Sequence, residues 1–244
     1  VLLVGQKVEK FEFAKEGYVL TTRKNVFKAS QLVSAIPAEN TMAIAPAKIK
    51  HLLNRYVTRD KNYHESAIVI FLGVPESEVV CQSLTHHQFL YDYNLPLGNG
   101  NNMFISVSAP GDFESAPEGY RSVMISTHCK LNEWQNLTED AYKQKKDKIG
   151  IHLLNLARCI YPQLGTNALI YQVCTPRTYE KYTGRINGTV GGVRQNIKNS
   201  NFKAIPHHIG VRSFRMVGDS TWPGLGTVAS ILGSKIVANQ LLNR

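Results

Sequence analysis

Along this chain, short apolar runs alternate with polar breaks until the last thirty residues. Over residues 1–4, 7–13, 17–22 and 26–29, partial alternation interrupted by Gly, Lys and Asn predicts four short strands. Residues 31–37 (Gln-Leu-Val-Ser-Ala-Ile-Pro) predict an apolar strand closed by proline, suited to a buried parallel sheet. The pattern from 38 to 66 is helical with polar breaks, and Ile49, Leu52, Leu53 and Tyr56 recur at helical spacing over 47–56. Strand-like runs follow at 67–74, 87–93, 103–108 and 122–128, with Pro- and Gly-rich loops between them. Together they predict an antiparallel sheet in a second domain, its inward face a candidate to line a hydrophobic pocket. Asn136-Leu-Thr-Glu139 has capping-box spacing, and Tyr142, Ile149, Leu153, Leu156 and Ile160 then fall on one face of a helix ending near Pro162. A strand over 168–174 and a loop over 184–212 lead to the C-terminal stretch. There a strand (214–217), a glycine-punctuated turn with one carboxylate and a helix follow in order. Val228, Ile231, Leu232, Ile236, Val237, Leu241 and Leu242 make that helix apolar on more than one side, so it is predicted to be buried in protein. The expected class is α/β with mixed α+β character.

Strand, glycine turn and helix start form a common holder of an anionic or polar cofactor, because glycine lets backbone approach closely and the first helical N–H groups point at the ligand. Composition alone equally admits a buried βα unit whose Gly and Pro only make a tight turn.

Charge changes the picture little. The 244 residues carry a formal net charge of +10, but Lys and Arg are scattered and cluster only at Lys143, Lys145, Lys146 and Lys148. Without zinc-finger spacing, an RNA-binding aromatic signature or a basic heptad helix, nucleic acid is not an expected partner. An anionic bilayer surface stays open for the basic balance, whereas nothing fixes the oligomeric state. Cys81, Cys129, Cys159 and Cys174 lie far apart, so reduced thiols are expected, and neither a signal peptide nor a run of 18 apolar residues is present. A cytoplasmic setting follows as the expectation, with the N-x-T sequons at Asn136 and Asn187 accidental. His86–His87 and His207–His208 are adjacent pairs that point to opposite faces of a strand, so no metal site is expected. No Ser–His–Asp arrangement is recognisable.

Gly218-Asp219-Ser220, Pro223-Gly224-x-Gly226, Gly233 and Ala238 resemble the C-terminal FAD motif of the flavin amine oxidase and phytoene desaturase superfamily. Upstream, Thr175-Pro-Arg-Thr-Tyr-Glu-Lys-Tyr-Thr-Gly-Arg-Ile-Asn-Gly-Thr-Val-Gly-Gly192 resembles the carotenoid desaturase and isomerase branch, most closely the bacterial carotenoid 3',4'-desaturases. This resemblance implies a partial Rossmann-like FAD-binding domain (residues 1–40 and 184–244) and an antiparallel-sheet substrate domain (41–183). It also implies FAD as cofactor, held by Val8, by the turn Ser34, Ala35, Ile36 and Pro37, and by Gly218, Asp219, Ser220, Pro223, Gly224, Gly226, Thr227 and Val228. Without that context Val8 reads as an ordinary strand residue, and Asp219 as an Asx-turn or N-cap residue.

Arg177, Tyr179 and Tyr182 are candidates for substrate contact or for surface and interdomain hydrogen bonds, and Gly188, Gly191 and Gly192 for close backbone passage by the flavin. The implied reaction removes two hydrogens from adjacent carbons of an acyclic carotenoid. A hydride goes to FAD, a further oxidant reoxidises it, and no catalytic base can be named. Isomerisation, retinol-saturase-like reduction and a non-catalytic binding role are the alternatives. The chain opens on Val1 and contains no G-x-G-x-x-G after a strand, so the expectation is the C-terminal half of such an enzyme.

Overall fold

Three of the four N-terminal runs pair as expected in the computed structural model, which describes residues 1–243. β1 (Val8–Phe13), β2 (Tyr18–Thr22) and β3 (Val26–Ala29) form an antiparallel meander. The run at 1–4 does not become a strand: its side chains are exposed, and the alternation there has no partner to pair with. β4 (Leu32–Ser34) is followed by α1 (Ala38–Ile44) and α2 (Ala47–Asp60), and it pairs in parallel with the distant β10 (Phe214–Met216). α5 (Thr227–Leu242) closes the chain.

A five-stranded antiparallel sheet in the order β6-β7-β8-β5-β9 is built from β5 (Glu65–Pro75), β6 (His86–Leu90), β7 (Asn102–Val107), β8 (Tyr120–Lys130) and β9 (Ile170–Cys174). With it go α3 (Glu139–Ala157) and α4 (Pro176–Thr183). The class is mixed α/β with antiparallel sheets.

Residues 65–190 form one compact unit, and the flanking segments, up to residue 64 and from residue 191 on, form the other. These division points differ from the domain limits at 40 and 183. Ile49, Leu53 and Tyr56 of α2 are buried with Phe11, Tyr18, Phe214 and Met216, so α2 belongs with the meander and β10. Phe11 stacks on Phe214 with centroids 5.8 Å apart, joining β1 to β10. Residues 184–190 stay with the five-stranded sheet, where Val190 N–H donates to Glu65 O and Ser66 Oγ donates to Gly188 O at 2.6 Å.

Within the central unit, alternation along the strands decides the layers. Ile68, Ile70, Leu72 and Val74 of β5, with Val123 and Ile125 of β8 and Met103, Ile105 and Val107 of β7, pack against Leu153 and Ala157 of α3. The inward face is therefore a core filled by these side chains. α3 begins later than the Asn136 spacing implied. Asn136 takes a left-handed φ of 55°, and Thr138 is the N-cap, its hydroxyl accepting from Ala141 N at 3.3 Å. α4 went unrecognised in the sequence, although Thr175-Pro176-x-Thr178 carries its signal: an N-cap threonine, proline at N1 and a reciprocal threonine at N3.

All four cysteines are free. Cys129 sits opposite Ser66 in the sheet, and burial foremost, then the Glu133 charge, pushes its thiol up to about 12. Since the thiolate is the nucleophile, iodoacetamide at pH 8 is expected to add twice to the folded chain, at exposed Cys81 and Cys159. Four additions are expected after unfolding. Peptide mass mapping reads both, and a Cys129 adduct on folded protein would contradict this burial.

Candidate functional site

β4 and β10 run side by side and deliver their following turns to the same place. Val217 N–H donates to Ser34 O at 2.9 Å, and Ala38 N–H donates to Ser220 Oγ at 3.2 Å. A Cβ on Gly218, whose φ is 100°, would lie 3.6 Å from Ala35 O. The sequence candidates Ser34, Ala35, Ile36 and Pro37 thus meet Gly218, Asp219 and Ser220 beyond the carboxyl ends of two parallel strands. In open α/β sheets this is where ligands are held. Val8 lies at the start of β1 opposite Thr22.

Thr41 fixes the first turn. This buried residue shares a 2.7 Å hydrogen bond with Ser34 Oγ, and its hydroxyl reaches Ile36 O at 3.3 Å. Thr221 fixes the second, its hydroxyl donating to Gly218 O at 2.9 Å while Trp222 N–H donates to Ile205 O at 3.0 Å. Asp219 and Ser220 are half-buried, and with Thr221 and Gly224 they line a cavity of about 30 Å³. Its other walls include Arg59 and Asp60. Asp60 is buried and held by the Arg59 fork at 2.8 and 2.6 Å, and Asn199 adds a longer contact at 3.4 Å. That carboxylate raises the Arg59 pKa further, chiefly through the hydrogen bond.

Beyond Pro223, the chain enters α5 through Gly226, with φ of 101° and no side-chain cap. The first helical bond runs from Ser230 N–H to Gly226 O at 3.0 Å, so the Thr227 and Val228 amides point off the helix end. A Cβ on Gly226 would meet nothing within 4 Å, which leaves open space beside that end.

Two further glycines make close backbone contacts within the protein. Gly192 packs against the Asp219 carbonyl and Gly188 against the Pro176 carbonyl, each closer than any Cβ allows. At these two positions close approach is to the protein's own backbone. Gln195, which no sequence signal marks, donates to Pro223 O at 2.9 Å and abuts Gly224.

Arg177, Tyr179 and Tyr182 lie on α4 and do not converge. Arg177 bonds Glu139 and Leu137 O, each at 2.9 Å, and stacks 4.0 Å over Tyr142. Tyr179 is half-buried, its pKa raised by burial and then by Cys174 and Cys129, while Tyr182 is exposed.

Apolar side chains are available elsewhere on the same unit, on the face of the five-stranded sheet turned away from α3. Phe71 faces Met124 across β5 and β8, Phe104 faces Ser126 across β7 and β8, and Ile170 faces Gly73. Phe71, Phe104, Met124 and Ile170 are each more than a third exposed, among Ser106, Ser122 and Ser126. Sequence alternation contained this face, but attention to the inward residues missed it.

His87 bonds Tyr161 Oη, whereas His86 bonds Ser106 Oγ. His207 Nδ1 lies 2.9 Å from Met216 O in the interior. Among the described residues, no group of three or more His, Cys, Asp or Glu is placed to hold a metal ion, and no helix is long and apolar enough to cross a membrane.

No family model matches the chain. It is similar to the chloroplastic prolycopene isomerase of Daucus carota, with 27% identity over 179 residues, 72% of this chain and 29% of that protein. It is also similar to the 4,4'-diaponeurosporene oxygenase of Staphylococcus haemolyticus, with 23% identity over 206 residues, 78% of this chain and 40% of that protein. The chain thus spans well under half the length of these curated relatives. Among solved structures, cyclohexylamine oxidase from Brevibacterium oxydans shares the fold at a TM-score of 0.59 and 14% identity, over 98% of this chain and 49% of that one. The homologues are carotenoid isomerases and a diaponeurosporene oxygenase, and the structural neighbours lie in the flavin amine oxidase superfamily, the family that both sequence motifs resemble.

Proposed function

We propose that this chain is the C-terminal portion of an FAD-dependent oxidoreductase of carotenoid biosynthesis that desaturates an acyclic carotenoid. The observation that carries the reading is the meeting of the 34–37 and 218–220 turns beyond β4 and β10, next to the uncapped start of α5. The residues fit a flavin dinucleotide. Asp219 would accept from ligand hydroxyls, and the backbone at Gly218 and Ser220 would lie alongside. The Thr227 and Val228 amides, with Gly224 and Gly226 leaving room, would face the electron-poor pyrimidine end, where a helix N-terminus favours negative charge. Bound FAD would supply a two-electron acceptor. The chain's own part is to orient it and to offer an apolar surface.

For that surface, Phe71, Phe104, Met124 and Ile170 support an assignment to the polyene, because exposed aromatic rings and a thioether match a long conjugated hydrocarbon. Arg177, Tyr179 and Tyr182 enter at most through α4's position, since the Arg177 fork is already engaged. The +10 charge supports contact with an anionic bilayer from the cytoplasmic side, where a lipid-soluble substrate would reside. A second reading, isomerisation, is favoured by the name of the Daucus carota relative.

Product analysis separates the two when the chain, in its complete enzyme, is given acyclic carotenoids. Desaturation yields a product two hydrogens lighter that absorbs at longer wavelength. A product of unchanged mass supports isomerisation and removes the desaturase reading. Within the same enzyme, Asp219→Ala is expected to weaken FAD binding by roughly 10- to 100-fold, the worth of one hydrogen bond to a charged group. Equilibrium titration followed by flavin fluorescence reads it, and unchanged affinity would take Asp219 out of the site.

A further inference from the structure

Beside the first turns of α4, within the central unit, lies a cleft of about 390 Å³ to which no role has yet been given. The turn after β8 (Leu131–Trp134) and the start of α4 supply its apolar part, Leu131, Trp134 and Pro176. Gln135, Asn136 and Asn187 bring three primary amides to it. Trp134 is 3% exposed, and its indole N–H is buried without a hydrogen-bond partner among the described residues. Such a donor is rare in a folded interior and costs free energy until an acceptor reaches it. Lys145 stands 5.0 Å from the centre of the Trp134 ring and Tyr142 meets that ring edge-on, so α3 already packs against the indole.

The backbone holds the amides in place. Asn136 and Asn187 take left-handed φ values of 55° and 59°, which asparagine accepts more readily than most residues. Asn187 N–H donates to Glu180 Oε1 at 3.1 Å, tying that turn to α4. Among the described residues, no hydrogen bond within the chain occupies the side-chain amides of Gln135, Asn136 or Asn187.

Charge then narrows the ligand. Arg177, on one wall, is paired with Glu139 at 2.9 Å and stacked on Tyr142, so it offers little to an anion. Glu180 is the other charged residue lining the cleft; it repels anions, and one carboxylate is too few ligands for a hard metal cation. A purely apolar molecule would take water from three amides and return no hydrogen bond. A neutral ligand rich in hydroxyls meets every demand. A hydroxyl donates and accepts, as a primary amide does, and its oxygen can accept from the indole N–H. The volume falls at the small end of the range for ligand sites, which suits about one or two sugar rings.

We propose that this cleft binds a neutral glycosyl group, its hydroxyls held by the Trp134 N–H and by the Gln135, Asn136 and Asn187 amides. None of these residues is assigned to the flavin, so the two readings are tested independently. The group can belong to a free sugar or to a lipid headgroup, and the test distinguishes them.

The full 244-residue chain, labelled with nitrogen-15, is titrated with maltose and, separately, with phosphatidylcholine vesicles containing a monogalactosyl lipid. The chain has two tryptophans and so two indole N–H signals. Maltose is expected to shift the Trp134 signal saturably and to leave that of Trp222 in place. Asn136→Gly and Asn187→Gly suit the left-handed backbone and remove one amide each, and each is expected to weaken binding about 3- to 10-fold. Trp134→Phe, which keeps a ring but removes the N–H, should act in the same direction. Binding to the vesicles alone, lost in the two glycine variants, assigns the glycosyl group to a lipid. The proposal is overturned if neither probe binds, with maltose taken to about 50 mM, well above a millimolar dissociation constant. It is equally overturned if the glycine variants bind as tightly as the parent chain, or if inorganic phosphate shifts the Trp134 signal at lower concentration than maltose.

Discussion

Gly188→Ala is expected to destabilise the central unit by roughly 2–5 kcal/mol, the larger of the two strongest effects anticipated for this chain. Two costs add. Gly188 sits at φ 67°, a left-handed conformation that costs an L-residue about 1–2 kcal/mol. In addition, its Cβ would overlap the Pro176 carbonyl at the start of α4, and backbone cannot swing aside as a flexible side chain does, adding about 1–3 kcal/mol. The displacement would also strain the 2.6 Å bond from Ser66 Oγ to Gly188 O. Gly184→Ala separates the two costs: its φ is 69°, but a Cβ there meets nothing within 4 Å, so only the conformational cost of about 1–2 kcal/mol applies. Urea unfolding of both variants reads the difference, and equal losses would show that the Pro176 approach is unimportant.

Leu53→Ala comes next, at about 3 kcal/mol, within the range for a fully enclosed leucine that leaves a cavity behind. The side chain lies among Ile49, Tyr56, Phe214 and Met216, under the strand that carries the 218–226 turn. Against a total stability of about 5–15 kcal/mol, this loss should raise amide exchange along α2 and β10 substantially. Exchange mass spectrometry and urea midpoints measure it. A loss below about 1 kcal/mol would mean that α2 is loosely seated, since well-packed sites seldom relax that completely.

The contrast between these residues shows where sequence reasoning stops. Ile49, Leu53 and Tyr56 announced α2 through spacing alone, because a helix repeats its buried face every three to four residues. The same spacing could not say which unit α2 would join; Phe11 and Phe214, far away in the chain, decided that. Gly188 is legible as a glycine that matters. That it accommodates Pro176 O is a fact of tertiary contact.

Most strands, the helices α2, α3 and α5, the antiparallel sheet and the glycine turn before α5 were determined by the sequence, since each depends on local periodicity or backbone freedom, whereas α4 was carried by its cap alone and the run at 1–4 found no partner. The chemistry of the turn was legible only by resemblance, as a lone Asp219 among glycines has several uses. Tertiary structure alone decided that the 34–37 and 218–220 turns meet, because a parallel pair joins residues about 180 positions apart and nothing local encodes the partner. It also decided which apolar face is filled and which is open. Alternation marks both faces of a sheet and every side of α5, but burial depends on what packs against them. Hence the inward face of the five-stranded sheet is closed by α3, while Phe71, Phe104 and most of the apolar side chains of α5 remain open to solvent.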